Sequence, residues 1–329
     1  MTLAAARPPQ PEHLLTPAAA RDLLRTLCDN VERALRGKRG AVELAAIAVV
    51  ARGHLLVEDV PGVGKTTLAH ALARSLDLSF SRIQFTSDLL PSDIVGAQVF
   101  DARTATFSFR PGPVFAQLVL ADELNRAPPR TQSALLEAMS DAQVSLDGTT
   151  HPLPRPFVVL ATQNPREQSG TYPLPDSQLD RFMLRIALGH PAESVERDIL
   201  LSRTSQEPVH ALQPVASAQD VLRLQAAADA VRVDPALAGY VVSLARSTRE
   251  SAELSGGAST RGALNLLAAA KACALLDGRA HLLPDDVKRV AVACLAHRVA
   301  PAGREASLTD RAESERILAD LIERVPVPE

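Results

Sequence analysis

His54-Leu55-Leu56-Val57-Glu58-Asp59-Val60-Pro61-Gly62-Val63-Gly64-Lys65-Thr66-Thr67, continuing as LAHALARSL to Leu76, is the stretch on which the fold turns. An apolar run, a glycine turn and an alanine- and leucine-rich helix follow without a gap, the strand, loop and helix order that a phosphate cradle requires. Gly62 and Gly64 let the backbone wrap tightly so that its N–H groups point at phosphate oxygens, and the helix from Lys65 turns its positive end to the same point. Pro61, Gly62, Val63, Gly64, Lys65, Thr66 and Thr67 are therefore the candidate residues for a nucleoside triphosphate. Lys65 would hold the β- and γ-phosphates and Thr66 would offer its hydroxyl to magnesium, so ATP and Mg2+ are the expected ligands. Asp59 occupies the first glycine of the consensus. That matters less than Gly64-Lys65-Thr66 at the helix start, where the charge is bound.

Working outward, short apolar runs alternate with helical segments from Gly53 to about Gly189: His54 to Glu58, Arg82 to Phe85, Leu118 to Ala121, Phe157 to Ala161 and Met183 to Leu188. Such alternation implies an α/β fold with a parallel sheet covered on both faces. Gln98 to Arg110 and Gln143 to Pro152 read as hairpins, each pairing β-prone residues around a polar turn such as Asp147-Gly148. Upstream, a flexible arm over residues 1–16 leads into a helix from about Pro17 to Leu35. Downstream of about Ser205 the pattern is helical only, after a loose Gln- and Pro-rich linker from Gln206 to Pro214. Ser217 with Asp220 makes a capping box, and Pro284-Asp285-Asp286 begins another helix. Val287, Val290, Ala291, Cys294 and Leu295 follow the spacing of one buried helix face. The expected organisation is an arm over 1–16, a nucleotide-binding domain over 17–204 and a helical domain over 205–329.

Two further strands end in chemistry. Leu118-Val119-Leu120-Ala121-Asp122-Glu123 is a buried strand ending in paired carboxylates, as phosphoryl transfer to water needs beside a phosphate loop. Asp122 would hold magnesium through its water shell, and Glu123 would orient and polarise the attacking water. Phe157 to Pro165 is an apolar strand ending in polar groups, where Asn164 could hydrogen-bond the γ-phosphate or the water.

Composition narrows the remaining classes. A chain of 329 residues with 46% apolar content can bury a sizeable core. Cys28, Cys273 and Cys294 lie far apart with no CxxC spacing, so neither a disulfide framework nor a zinc knuckle is expected and a cytoplasmic location fits best. The longest apolar run, Leu44 to Ala51, is a buried helix rather than a membrane span. A net charge of -3 with interleaved signs lacks the footprint of a dedicated nucleic-acid binder.

The run ADELNRAPPRTQSALLEAM from Ala121 to Met139, the upstream QFTSDLLPSDIVG from Gln84 to Gly96, and ATQNP followed by GTYPLPDSQLDRF together resemble the MoxR family of AAA+ ATPases. The resemblance extends from about residue 30 through the C-terminal helices. It implies a P-loop module with a parallel five-stranded sheet flanked by helices and an all-α lid, assembled as a homo-hexamer with nucleotide at subunit interfaces. Lys65 and Thr66 match the Walker A positions, Asp122 and Glu123 the Walker B positions, and Asn164 sensor 1. Arg181, in Leu179-Asp180-Arg181-Phe182, matches the arginine finger that reaches the neighbouring subunit's γ-phosphate, and Arg261, in Ser259-Thr260-Arg261-Gly262, matches sensor 2. A guanidinium supplied from the next subunit couples hydrolysis to assembly, so a monomer is expected to be a poor ATPase. The family also implies a partner carrying a von Willebrand factor A domain and a role in remodelling, assembly or metal maturation of protein complexes. A nucleic-acid motor and a slowly hydrolysing nucleotide-gated scaffold are the competing readings.

Overall fold

The computed structural model describes residues 14–164, 170–202, 207–303 and 308–328. Residues 1–13 of the arm, Pro165 after Asn164, and Gln206 at the head of the linker lie outside the described residues. The chain opens with α1 (Pro17–Glu32) and α2 (Arg39–Val50). Thr16 caps α1, its hydroxyl oxygen accepting from Ala19 N at 3.3 Å, and Pro17 occupies the first turn, where a missing N–H costs nothing. Then follow β1 (Leu55–Glu58), α3 (Lys65–Ser75), β2 (Phe80–Gln84), α4 (Pro91–Val95), a hairpin of β3 (Gly96–Asp101) and β4 (Thr106–Pro111), β5 (Leu118–Asp122) and α5 (Pro129–Asp141). A second hairpin, β6 (Gln143–Leu146) and β7 (Thr149–Pro152), precedes β8 (Val158–Gln163), α6 (Asp176–Leu179), β9 (Leu184–Ile186) and α7 (Glu193–Leu201).

β2, β5, β8, β1 and β9 lie in that order in one five-stranded parallel sheet. Successive residues of a strand point to opposite faces, and the burial follows that period. Leu55 and Val57 of β1, with Leu118 and Leu120 of β5, face the layer of α1, α2 and α3. Leu56, Val119, Ala121, Val159 and Ala161 face Ile94 of α4 and Leu135, Leu136 and Met139 of α5. With both faces covered, these strands read as continuous apolar runs, and each fully buried Leu or Val stabilises by roughly 1.5–3 kcal/mol. The parallel arrangement also brings the C-terminal ends of β1, β8 and β5 to one edge, where β1 runs into the glycine turn.

The helical domain comprises α8 (Ala218–Asp229), α9 (Pro235–Glu250), β10 (Leu254–Gly256), α10 (Thr260–Leu276), α11 (Pro284–Leu295), β11 (Val299–Pro301) and α12 (Leu308–Arg324). The capping box at Ser217 and Asp220 forms, and all five expected core positions of α11 are fully buried. Two expectations need correction. Helices alone were expected, yet β10 and β11 pair antiparallel, Leu254 opposite Pro301 and Gly256 opposite Val299. Three-residue strands from distant segments leave no periodicity to read. The linker, expected to be loose, is anchored over its described part: Pro208–Ala211 forms a 3-10 turn, the Gln213 carbonyl accepts from Asn30 Nδ2 at 2.9 Å, and Val215 N donates to Ser75 O at 2.8 Å. Asn30 is buried and also donates to Ser75 Oγ at 2.9 Å, so the linker supplies a partner that this amide requires.

Candidate functional site: a phosphate loop and two separated charge clusters

The chain leaves β1 at Glu58 and turns through Asp59 to Gly64 before α3 starts. Gly62 and Gly64 take φ of 86° and 101°, which residues with a Cβ rarely adopt, and a Cβ at Gly64 would also fall 2.6 Å from Leu35 Cδ1. The N-cap of α3 is Gly64, which has no side chain to cap the first turn, so its N–H groups and positive end are presented to an anion, and the loop fits a phosphate chain. Lys65 Nζ donates to the carbonyls of Asp59 at 2.6 Å and Gln163 at 3.2 Å, which sets the ammonium between the loop and the tip of β8.

Asp59 acts here as a tie. Its Oδ1 accepts from Val60 N at 2.7 Å, and its Oδ2 accepts from Leu188 N at 2.7 Å and Gly189 N at 2.6 Å. The carboxylate thus pins the phosphate loop to the segment that follows β9. Burial alone would raise its pKa, but the bonds from Gly189, Val60 and Leu188, with Lys65 nearby, outweigh burial and hold it below the ordinary 3.8. A depressed carboxylate contributes stability above its unfolded pKa and loses it as pH falls through the folded value. Asp59→Asn is therefore expected to cost about 1–3 kcal/mol near neutral pH, with the gap from wild type closing below about pH 4. Urea unfolding of both proteins at each pH checks this, and a gap of constant size would remove the charge from the account.

Asp122 and Glu123 stand at the tip of β5, one strand from β8. The buried Thr162 hydroxyl donates to Asp122 Oδ1 at 2.6 Å and accepts from Glu123 N at 2.9 Å, so one side chain fixes both acids. Glu123 sits at φ 58°, ψ 46°, a left-handed conformation costing about 1–2 kcal/mol, and this turns its side chain away from the strand direction. Arg82 Nη2 lies 2.6 Å from Asp122 Oδ2, while Arg126 Nε and Gln84 Nε2 lie 3.1 and 2.9 Å from Glu123 Oε2. Asn164 is buried at the end of β8, beside Gln163, whose carbonyl holds Lys65. Lys65, Asp122, Glu123 and Asn164 are thus gathered at one sheet edge.

The two candidate arginines are elsewhere. Arg181 precedes β9, whose entry is marked by Met183 N donating to the carbonyl of His54 at 2.9 Å, at the N-terminal edge of the sheet. The four residues of β1, about 13 Å at ~3.3 Å per residue, separate that edge from the phosphate loop. Arg181 Nη1 donates to the Leu136 carbonyl and the Ser140 hydroxyl in the last turns of α5, where the helix dipole favours a cation, and its buried Nε has no hydrogen-bond partner among the described residues. Arg261, exposed in the first turn of α10, shares a cleft of about 240 Å³ with Arg52, His54, Ser140, Arg181 and Asn265. His54 is the buried floor of this cleft, its Nδ1 accepting from Val159 N at 3.0 Å, and burial depresses its pKa to about 4 despite the Met139 carbonyl. It is a neutral packing group.

Thr162, Arg82, Gln84 and Arg126 escaped the sequence reading. Gln84 opens the run Gln84 to Gly96, Arg126 lies in the run Ala121 to Met139 and Thr162 in ATQNP, but it takes the pairing of β2 with β5 to bring Arg82 and Gln84 to the carboxylates, the pairing of β8 with β5 to bring Thr162, and the turn after β5 to bring Arg126.

Residues 54–184 match the ATPase family associated with various cellular activities (AAA), and residues 246–320 match the AAA lid domain. The YeaC protein of Bacillus subtilis is 43% identical over 93% of this chain and 95% of its own length. Chaperone MoxR1 of Mycobacterium tuberculosis is 40% identical over 91% of this chain and 81% of its own. A crystal structure of a candidate ATPase from Cytophaga hutchinsonii superposes with a TM-score of 0.84 at 36% identity, covering 95% of this chain and 97% of that one. With a phosphate loop and paired acids at one edge of a five-stranded parallel sheet, a helical lid, and relatives of this likeness along nearly the whole chain, the protein belongs to the MoxR family of AAA+ ATPases.

Proposed function

We propose that the chain hydrolyses ATP at a site shared between neighbouring copies in a homo-hexameric ring, and that the cycle drives remodelling of a partner protein. The observation that carries this reading is the separation of the two charge clusters. The cradle with Lys65, Thr66, Asp122, Glu123 and Asn164 lies at one end of β1, and Arg181 with Arg261 at the other. Arginines that far from their own phosphate loop serve hydrolysis only when a second copy brings its loop to them.

In the cradle, Gly62 to Gly64 offer backbone N–H groups to the phosphates, Pro61 fixes the turn that leads into them, Lys65 neutralises their charge, and Thr67 continues the open first turn. Thr66 and Asp122 would hold magnesium; among the described residues no three His, Cys, Asp or Glu side chains converge, and a metal at this place would draw its other ligands from water and phosphate oxygens. When bound, the metal supplies charge neutralisation on the phosphates. Arg82, about half exposed, can leave Asp122 at small cost. Glu123 takes the proton of the attacking water, and Asn164 orients that water or the γ-phosphate.

The name of the Mycobacterium tuberculosis relative, a chaperone, supports a protein client. So does the β3–β4 hairpin, which exposes Phe100 and Phe107 with ring centroids 5.1 Å apart, apolar surface suited to gripping an unfolded segment. A von Willebrand factor A domain protein is the proposed partner and the cytoplasm the proposed location; among the described residues no helix is long and apolar enough to cross a membrane.

The test is magnesium-dependent ATP turnover measured across protein concentration alongside light scattering. Turnover per chain is expected to rise as monomers give way to rings, and a value flat across that transition would overturn the shared site. DNA and RNA added to the same assay are expected to leave turnover unchanged, and strong, salt-sensitive stimulation would favour a nucleic-acid motor instead.

A further inference from the structure

Asp180, the neighbour of Arg181, is gripped by the helical lid. Arg298 Nε donates to Asp180 Oδ1 at 2.7 Å, and Arg298 Nη2 donates to the carbonyls of Asp180 at 3.2 Å and Phe182 at 2.7 Å. The Ser259 hydroxyl lies 3.2 and 3.0 Å from the two Asp180 carboxylate oxygens and accepts from Gly262 N at 3.0 Å, so one group both caps α10 and holds Asp180. The Arg298 side chain is 3% exposed, so its guanidinium needs the bonds that Asp180 and the Phe182 carbonyl supply. A Cβ on Gly262 would lie 3.0 Å from Arg298 Cδ and 3.1 Å from Nε, so the glycine of Ser259-Thr260-Arg261-Gly262 makes room for this guanidinium. The β10–β11 pairing keeps the two lid segments carrying Ser259 and Arg298 side by side.

Arg181 follows Asp180 directly, and Arg261 follows Ser259 by two residues, so a short rigid link ties each arginine to the same carboxylate. Both line the same cleft. We infer that Asp180 is a positioning residue that locks the finger turn and the first turn of α10 into one unit, so that Arg181 and Arg261 are offered together to a neighbouring copy's nucleotide. The inference rests on the shared-site reading and adds to it the part that sets the arginines' spacing. It also makes lid position the control over both: a lid shift that parts Ser259 and Arg298 from Asp180 withdraws the pair.

The experiment uses Asp180→Asn in the full chain. Its kcat is expected to fall about 10²-fold, the cost of a misplacement near 1 Å, with affinity for fluorescent ADP unchanged because its own cradle is intact. Mixing it with Lys65→Ala chains, which have an intact arginine face and a dead cradle, is expected to restore turnover to the level reached by Arg181→Ala mixed with Lys65→Ala. A purely structural Asp180 predicts no such rescue. Retained kcat in Asp180→Asn, or lost activity that the mixture does not recover while the Arg181 mixture recovers, overturns the inference and leaves the shared site standing. Failure of the Arg181 mixture itself overturns the shared site and this inference with it. Should Asp180→Asn not fold, Ser259→Gly takes its place in the mixture, since glycine is tolerated as an N-cap and only the tie from α10 to Asp180 is lost, the Arg298 hold staying in place; unchanged kcat there overturns the proposal, which needs that tie to set Arg261.

Discussion

Glu123→Gln is expected to bind ATP and magnesium as wild type does and to lose about 10²–10⁴-fold of its turnover, the contribution of a positioned general base. The swap keeps the shape of the side chain and an oxygen able to accept from Gln84 Nε2 and Arg126 Nε, now 2.9 and 3.1 Å from Glu123 Oε2, so the turn at φ 58° has no new reason to unwind. What it loses is the basic oxygen. Lys65→Ala should fail differently, because that ammonium sits at the phosphate loop itself and its removal weakens nucleotide binding before any bond is broken. Fluorescent ATP titration with single-turnover hydrolysis separates the two outcomes. ADP formation by Glu123→Gln at the wild-type rate would remove the residue from the reaction.

The phosphate loop was legible because its chemistry is contiguous: β1, the turn at Gly62 and Gly64, and the start of α3 need no partner from elsewhere to be recognised. The strand ending at Asp122 was legible for the same reason. Thr162 was not, because its importance comes from lying across two strands at once, 2.6 Å from Asp122 Oδ1 and 2.9 Å from Glu123 N. Arg82 looks in the sequence like any strand-end arginine until β2 is paired with β5. Asp59 was visible as a departure from the consensus, but its use depends on Leu188 and Gly189, far along the chain. The same holds for the lid: α11 announced its buried face by local spacing, whereas β10, β11 and the Arg298 contacts exist only through pairing of distant segments. Local motif and helix periodicity therefore carried the fold, and cross-strand contacts carried what tunes the site.

Arg181→Ala is expected to lower turnover about 10³–10⁵-fold, the range for an arginine that stabilises phosphoryl transfer from a neighbouring subunit. The side chain's own contacts, to the Leu136 carbonyl and the Ser140 hydroxyl, are two hydrogen bonds of a half-buried residue, so their loss should cost about 1–3 kcal/mol of stability, far less than the expected loss of turnover. Arg181→Lys is not expected to rescue, since a point charge on a flexible stem lacks the planar fork that spans phosphoryl oxygens. An effect of this size could still arise if the substitution disturbed the chain's own cradle, and mixing decides between the two. Arg181→Ala chains retain Lys65 and Glu123, whereas Lys65→Ala chains retain Arg181 and Arg261. In a mixed ring, some boundaries set an intact cradle against an intact arginine face, so two inactive proteins should together regain a fraction of wild-type activity set by random placement. Rescue of that kind has no explanation in a site built from one chain, because neither variant holds a complete set. Absence of rescue at saturating concentration, with mixed assembly demonstrated, would place all the catalytic groups within one chain and contradict the separation of Arg181 from Lys65 by the length of β1.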